Sequence, residues 1–241
     1  MSESINIDFY KKLSYIGGIL TIAFYLGFLI IAWILFPNDA TPLDHWLSDF
    51  GRYLVPDDGG AVWRWDDILG WQSYTELGIG SIPNPGAIFY NLGCILGGVG
   101  MVAFFTGFLA YKNLNDRIPK LGTYALIIIG IIGGFGLILI GIFAEDGIFF
   151  YINEELINPI HHTATIVFFL MLIIIKGIAG YWTWKVGLNR FIAVYAWVII
   201  ILDIILVATG NNYAIIEWLS VLLSLALIGI IASGLYLKDK K

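Results

Sequence analysis

The chain has 241 residues, 59% of them apolar and 13% charged, and its mean hydropathy is +0.85. Soluble domains hold about 45–50% apolar and about 25% charged residues, so this composition excludes an ordinary water-soluble globule and equally a disordered chain. A net charge of −5 argues against a nucleic-acid partner, which calls for a basic face, and the single cysteine, Cys94, excludes an intrachain disulfide.

Crossing a hydrocarbon core about 30 Å thick takes about 20 mostly apolar residues in a helix. The first such run, Leu13–Phe36, has no charged residue. It is longer than the roughly 7–15 residues of a signal-peptide core and reads as an uncleaved first span. A long loop, 37–85, follows. It carries four of the nine tryptophans (Trp46, Trp63, Trp65 and Trp71) and many acids. Tryptophan favours the membrane–water interface, so the loop is expected to lie on the bilayer surface or cap the bundle. Within it, Thr41–Phe50 predicts a short helix with Thr41 as N-cap and Pro42 at the first position. Pro83-Asn84-Pro85-Gly86 predicts the turn that admits the second span.

The second run is Gly86–Tyr111 and the third Leu121–Ala144, both without Asp, Glu, Lys or Arg. Gly93-x-x-x-Gly97 and Gly130-x-x-x-Gly134 put small residues on one face of each. That spacing predicts close packing inside one bundle, with a homo-oligomer contact as the alternative. The remaining runs are Ile160–Trp184, containing Lys176; Phe191–Thr209, containing Asp203; and Tyr213–Leu237, containing Glu217. Isoleucine and valine are frequent, but in lipid each backbone amide must bond within its own segment, so runs of this length read as helices rather than strands.

The expected fold is therefore all-α and integral to the membrane: one domain over 1–241, a six-transmembrane-helix bundle with a long outer loop after helix 1. Ten of the thirteen basic residues fall in 1–12, 112–120, 185–190 and 238–241. Excess Lys and Arg marks cytoplasmic segments, which predicts cytoplasmic N- and C-termini and a multi-pass protein of the plasma membrane.

The chemistry then concentrates on the outer side. His45 lies in the long loop, His161 and His162 open the fourth span, and Glu145, Asp146, Glu154 and Glu155 stand nearby in the topology. Three histidines and several carboxylates at one level are candidates to hold a divalent metal such as zinc, with His45, Asp146, His161 and His162 as the set; no His-x-x-x-His spacing supports it. Asp203 sits roughly 9 Å and Glu217 roughly 6 Å inside their spans. Intramembrane carboxylates are functional candidates by default, either sharing a proton or forming a polar clamp with Asn211, Asn212 or Tyr213. Lys176 is expected to extend toward the cytoplasm rather than pair with Asp203.

Four stretches together carry a resemblance: His45-x-x-Ser48-Asp49-x-Gly51; Asn84-Pro85-Gly86-Ala87-x-Phe89-Tyr90-Asn91-x-Gly93; Gly141-x-Phe143-x-Glu145-Asp146; and His161-His162. The chain resembles the prokaryotic six-span membrane family known as domain of unknown function nine-nine-eight, and more remotely the DRAM/Frag-type membrane proteins, over about 13–237. The resemblance implies a six-helix bundle and brings no established reaction with it. A distant likeness to intramembrane hydrolases of the ceramidase and progestin/adiponectin-receptor kind would give Ser48, with Asp49 or Asp146 and the histidines, a place beside zinc.

Three functions follow. The first is binding of a lipid or ion in an outward-facing polar cavity, with membrane lipids as partners. The second is a metal-dependent membrane hydrolase acting on lipid head groups or amides at the outer leaflet, with Asp203, Glu217 and Ser48 as catalytic candidates. The third is a proton-coupled secondary transporter.

Overall fold

The computed structural model describes residues 2–146, 154–208 and 214–240, with the side chains of 2–6, 154–159 and 207 left out. The expected roles of Glu154, Glu155, Asn211, Asn212 and Tyr213 lie outside the described residues. Six α-helices are present among the described residues: α1 (Ser2–Leu35), α2 (Ala87–Thr106), α3 (Arg117–Ile142), α4 (Glu154–Lys185), α5 (Arg190–Ala208) and α6 (Ala214–Asp239). A 3-10 turn, Gly107–Tyr111, prolongs α2. Among the described residues, five segments are long and apolar enough to cross a membrane: Ile7–Leu35, Ala87–Tyr111, Arg117–Ile142, Ile160–Lys185 and Ala214–Asp239. The chain thus has the character of a membrane helical bundle. α5, with 19 residues, reaches roughly 28 Å at 1.5 Å per residue and is not among the five.

Each helix packs on the next, and α6 returns against α1, α4 and α5. Glycines set the closest approaches. A Cβ at Gly93 would stand 2.8 Å from the Cβ of Phe28 on α1, and one at Gly134 would stand 2.7 Å from Val102 on α2. Both small-residue faces are therefore used inside the chain, as expected of a bundle that lacks a hydrophobic driving force between helices. The α4–α5 corner is a Schellman motif: Leu188 N–H donates to Thr183 O at 3.0 Å and Gly187 N–H to Trp184 O at 3.2 Å. Gly187 takes φ +75°, a left-handed conformation that glycine adopts without a Cβ penalty.

The 37–85 connection folds onto one end of the helices. Two antiparallel ribbons form there, β1 (Leu54–Pro56) with β4 (Ser81–Pro83), and β2 (Trp63–Asp66) with β3 (Gly70–Ser73). The second is a hairpin whose turn is held by Asp66, which accepts from the Ile68 and Leu69 amides at 2.8 Å each. The helix expected over Thr41–Phe50 is not formed. Asp44 accepts from Thr41 N–H at 3.0 Å, and Asp49 accepts from Trp46 N–H at 2.8 Å. These side-chain bonds divide the segment into a turn and a 3-10 turn, Ser48–Gly51, because short acidic side chains compete with the helical backbone pattern.

The Asn84-Pro85-Gly86 turn ties this cap to α2. Asn84 donates to the carbonyls of Phe50 at 3.2 Å and Arg52 at 2.8 Å and accepts from Gly86 N–H at 2.9 Å. Asn91 donates to Gly51 O at 2.9 Å. The motif asparagines are thus spent on satisfying buried loop backbone, which would otherwise carry unpaired polar groups.

Candidate functional site

A cavity of about 480 Å³ opens at the end of the bundle that carries the cap, within the range usual for small-molecule sites. Three helices and the cap wall it. From α4 come His161, Thr165, Phe169 and Ile173, spaced four apart and so in one row on the helix; His162 joins them. α6 contributes Ile216, Glu217 and Ser220, α5 contributes Asp203, and Glu145 stands just beyond α3. The cap supplies Ser48 and three tryptophans, Trp46, Trp63 and Trp71.

Several polar wall residues are held by specific partners. Glu217 accepts from the Leu47 amide at 2.8 Å, which locks the cap to α6. His161 donates from Nδ1 to the Phe143 carbonyl at 2.7 Å, fixing that tautomer, since a carbonyl only accepts. Glu145 lies 3.4 Å from the Arg52 guanidinium. Asp203 is 4% exposed and ion-paired with the buried Lys176, whose ammonium also donates to Ser220 Oγ at 3.3 Å. Lys176 therefore does not extend toward the cytoplasm as expected. Side chains lean toward the N-terminus of their helix. α4 begins at the cap end, so Lys176 leans toward the cavity. α5 ends there, so Asp203 leans back to meet it.

Arg52 is the centre of an acidic cluster made of Glu145 from the cavity wall, the buried Asp49 and the half-buried Asp146. Burial pushes the Asp49 carboxyl well above the usual aspartate range, and the neighbouring Glu145 charge adds to it, against the attraction of Arg52. Asp146 is likewise raised by burial, with the Leu54 amide opposing. The Arg52 guanidinium also stands 5.9 Å from the centre of the Tyr74 ring, a cation–π distance.

Of the residues singled out in the sequence, Ser48, His161, His162, Asp203 and Glu217 meet at this cavity, whereas His45 and Asp146 are not among its wall residues. His45 is 1% exposed, lies edge-on to Phe36 at 5.4 Å and bonds Asp44 at 2.9 Å; its carbonyl accepts from Trp218 Nε1 at 2.9 Å. Asp146 accepts from Leu54 N–H at 2.8 Å. The expected four-residue metal set is accordingly not assembled: among the described residues no group of three or more His, Cys, Asp or Glu is placed to hold a metal ion. The cavity's Trp46, Trp63, Trp71, Thr165 and Ser220 were not singled out as site residues. The signal for the tryptophans was their density in one loop; Thr165 has its signal only in the four-residue spacing from His161.

No curated protein and no solved structure matches the chain. Residues 73–234 match a family described as a protein of unknown function, DUF998. This stretch holds α2 to α5, nearly all of α6 and the Asn84-Pro85-Gly86, Glu145-Asp146 and His161-His162 motifs, so the chain belongs to the DUF998 family of proteins of unknown function.

Proposed function

We propose that the chain is a single six-span membrane domain that binds a lipid or similar amphiphile in this cavity, at the outer face of the plasma membrane. The observation that carries the reading is the cavity's two-part lining. Phe169, Ile173 and Ile216 offer an apolar wall, and Ser48, Glu145, His161, Asp203, Glu217 and Ser220 offer polar groups. Ligand pockets of this kind take an apolar body and orient a polar end.

α5 serves as the remaining span. Phe191, Val194, Val198, Ile201 and Ile205 are all exposed and recur at three- and four-residue steps, which makes one continuous apolar stripe suited to lipid. With six spans, the basic residues of the short connections and tails support both termini in the cytoplasm and the cap outside.

The test is retention of a bound amphiphile. Protein purified in mild detergent and examined by native mass spectrometry should carry about one equivalent, and Ile173→Trp, which fills the apolar part of the cavity, should lose it. Absence of any bound amphiphile from the unaltered protein, after reconstitution with total membrane lipid, overturns the reading.

A further inference from the structure

We propose that the ligand presents a primary ammonium group to this cavity, an inference that rests on the binding function proposed above and names the chemistry of its polar end. Three observations converge on a cation carrying N–H donors.

The first is charge. Glu145, Asp203 and Glu217 line the cavity, and neither Lys nor Arg is among its wall residues in the described part of the chain. Arg52 is shared among Asp49, Glu145 and Asp146, and Lys176 is committed to Asp203. Glu217 meets a neutral partner, the Leu47 amide at 2.8 Å. The described wall thus carries three acidic side chains and no basic one, and in a medium less polarisable than water an uncompensated carboxylate attracts positive charge strongly.

The second is an unfilled acceptor. Asp203 gives one carboxylate oxygen to Lys176, while its Oδ1 is buried with no hydrogen-bond partner among the described residues. Thr165 Oγ1, also on the cavity wall, is in the same condition. Buried polar atoms in folded proteins almost always have partners. A primary ammonium brings three N–H donors, whereas a quaternary ammonium brings none and leaves these oxygens as they are.

The third is the aromatic wall. Trp63, Trp65 and Trp71 stand on one face of the β2–β3 hairpin, because Trp65 pairs with Trp71 and Trp63 is two residues from Trp65. Trp63 and Trp71 line the cavity together with the acidic side chains, and Trp46 joins them from the turn before Ser48. Indole faces attract cations more strongly than any other side-chain ring.

The measurement is titration of intrinsic tryptophan fluorescence in maltoside micelles with dodecylamine, dodecyltrimethylammonium, dodecanol and dodecanoate. Dodecylamine should bind about tenfold more tightly than each of the others. Glu217→Gln, which keeps an acceptor for the Leu47 amide, and Trp71→Leu, on the hairpin away from the helix core, should each lower the preference for dodecylamine over dodecanol about tenfold. Two competitors then separate the sources of the ammonium. Displacement by phosphatidylethanolamine, but not by ethylamine, identifies a lipid head group; displacement by ethylamine alone identifies a free amine. Equal binding of dodecanol and dodecylamine overturns the ammonium assignment while leaving the cavity as an amphiphile site. Binding of none of the four probes overturns both.

Discussion

The Lys176–Asp203 pair sits among helices where an unpaired charge is expensive. Removing one partner of a buried ion pair costs about 3–5 kcal/mol, whereas replacing both by apolar groups of similar size is often neutral or favourable. Lys176→Met alone should therefore lower the stability of the detergent-solubilised protein by that amount, and Lys176→Met combined with Asp203→Leu should recover most of it. Denaturant titration of the single and double variants measures both. Asp49 makes a second case, with a pH signature. Its folded-state carboxyl lies well above the unfolded value of 3.8, through burial first and the Glu145 charge second. The folded chain therefore holds this proton more tightly than the unfolded chain. The resulting stability is complete below about pH 3.8 and is lost as pH rises through the folded-state value. Asp49→Asn stays neutral throughout, so thermal midpoints of the two proteins should diverge with rising pH, the unaltered protein losing more stability. Parallel curves would show that Asp49 does not titrate differently on folding.

At the scale of elements, the helices were legible because one property decides them: an apolar run long enough to span lipid has few alternatives to helix. The predicted ends differ from the observed ones by a few residues except at α1, which begins at Ser2 rather than Leu13, and α4, which begins at Glu154 rather than Ile160; polar residues before the membrane extend a helix without any hydropathy signal. The cap was not legible. The alternation of Trp63-Arg64-Trp65-Asp66 did carry a strand pattern, but β1 and β4 are three residues each, with 24 residues between Pro56 and Ser81, so no local signal pairs them. The glycine spacings mark packing surfaces that the helices use at Gly93 and Gly134, and they lead to a prediction. A Cβ at Gly100 would stand 2.6 Å from the backbone nitrogen of Thr21 on α1. Gly100→Leu must push two backbones apart, and overpacking of this kind costs about 1–3 kcal/mol. It should lower the unfolding midpoint, and Gly27→Leu, at a glycine with open space around it, should not.

The whole molecule divides into a scaffold and a cover. The histidines and carboxylates of the cavity wall could be picked from the chain because they stand out against apolar helices; their gathering could not, because it depends on the α4–α5–α6 packing and on a cap bonded to α6 through Leu47 and Trp218. His45 shows the limit of reading by residue type. Its imidazole looks like a ligand in the sequence, yet it serves as packing for Phe36 in the structure. The hairpin is the part of the cover most nearly independent of the scaffold. Its ends meet where Tyr74 N–H donates to Val62 O at 2.9 Å, so residues 63–73 can be replaced by Gly-Gly with the flanking backbone left in place. Few helix–helix contacts depend on that segment, whereas Trp63 and Trp71 form part of the cavity wall. The shortened protein should unfold within a few degrees of the unaltered one, since a hairpin at the rim adds little buried core. It should also lose most of its amphiphile retention, because an apolar ligand left open to water forfeits roughly 25 cal/mol for each Å² that stays exposed. Circular dichroism melting combined with native mass spectrometry reads both quantities on one sample. Retention unchanged in the shortened protein would place the ligand against the helices alone and remove the tryptophans from its binding.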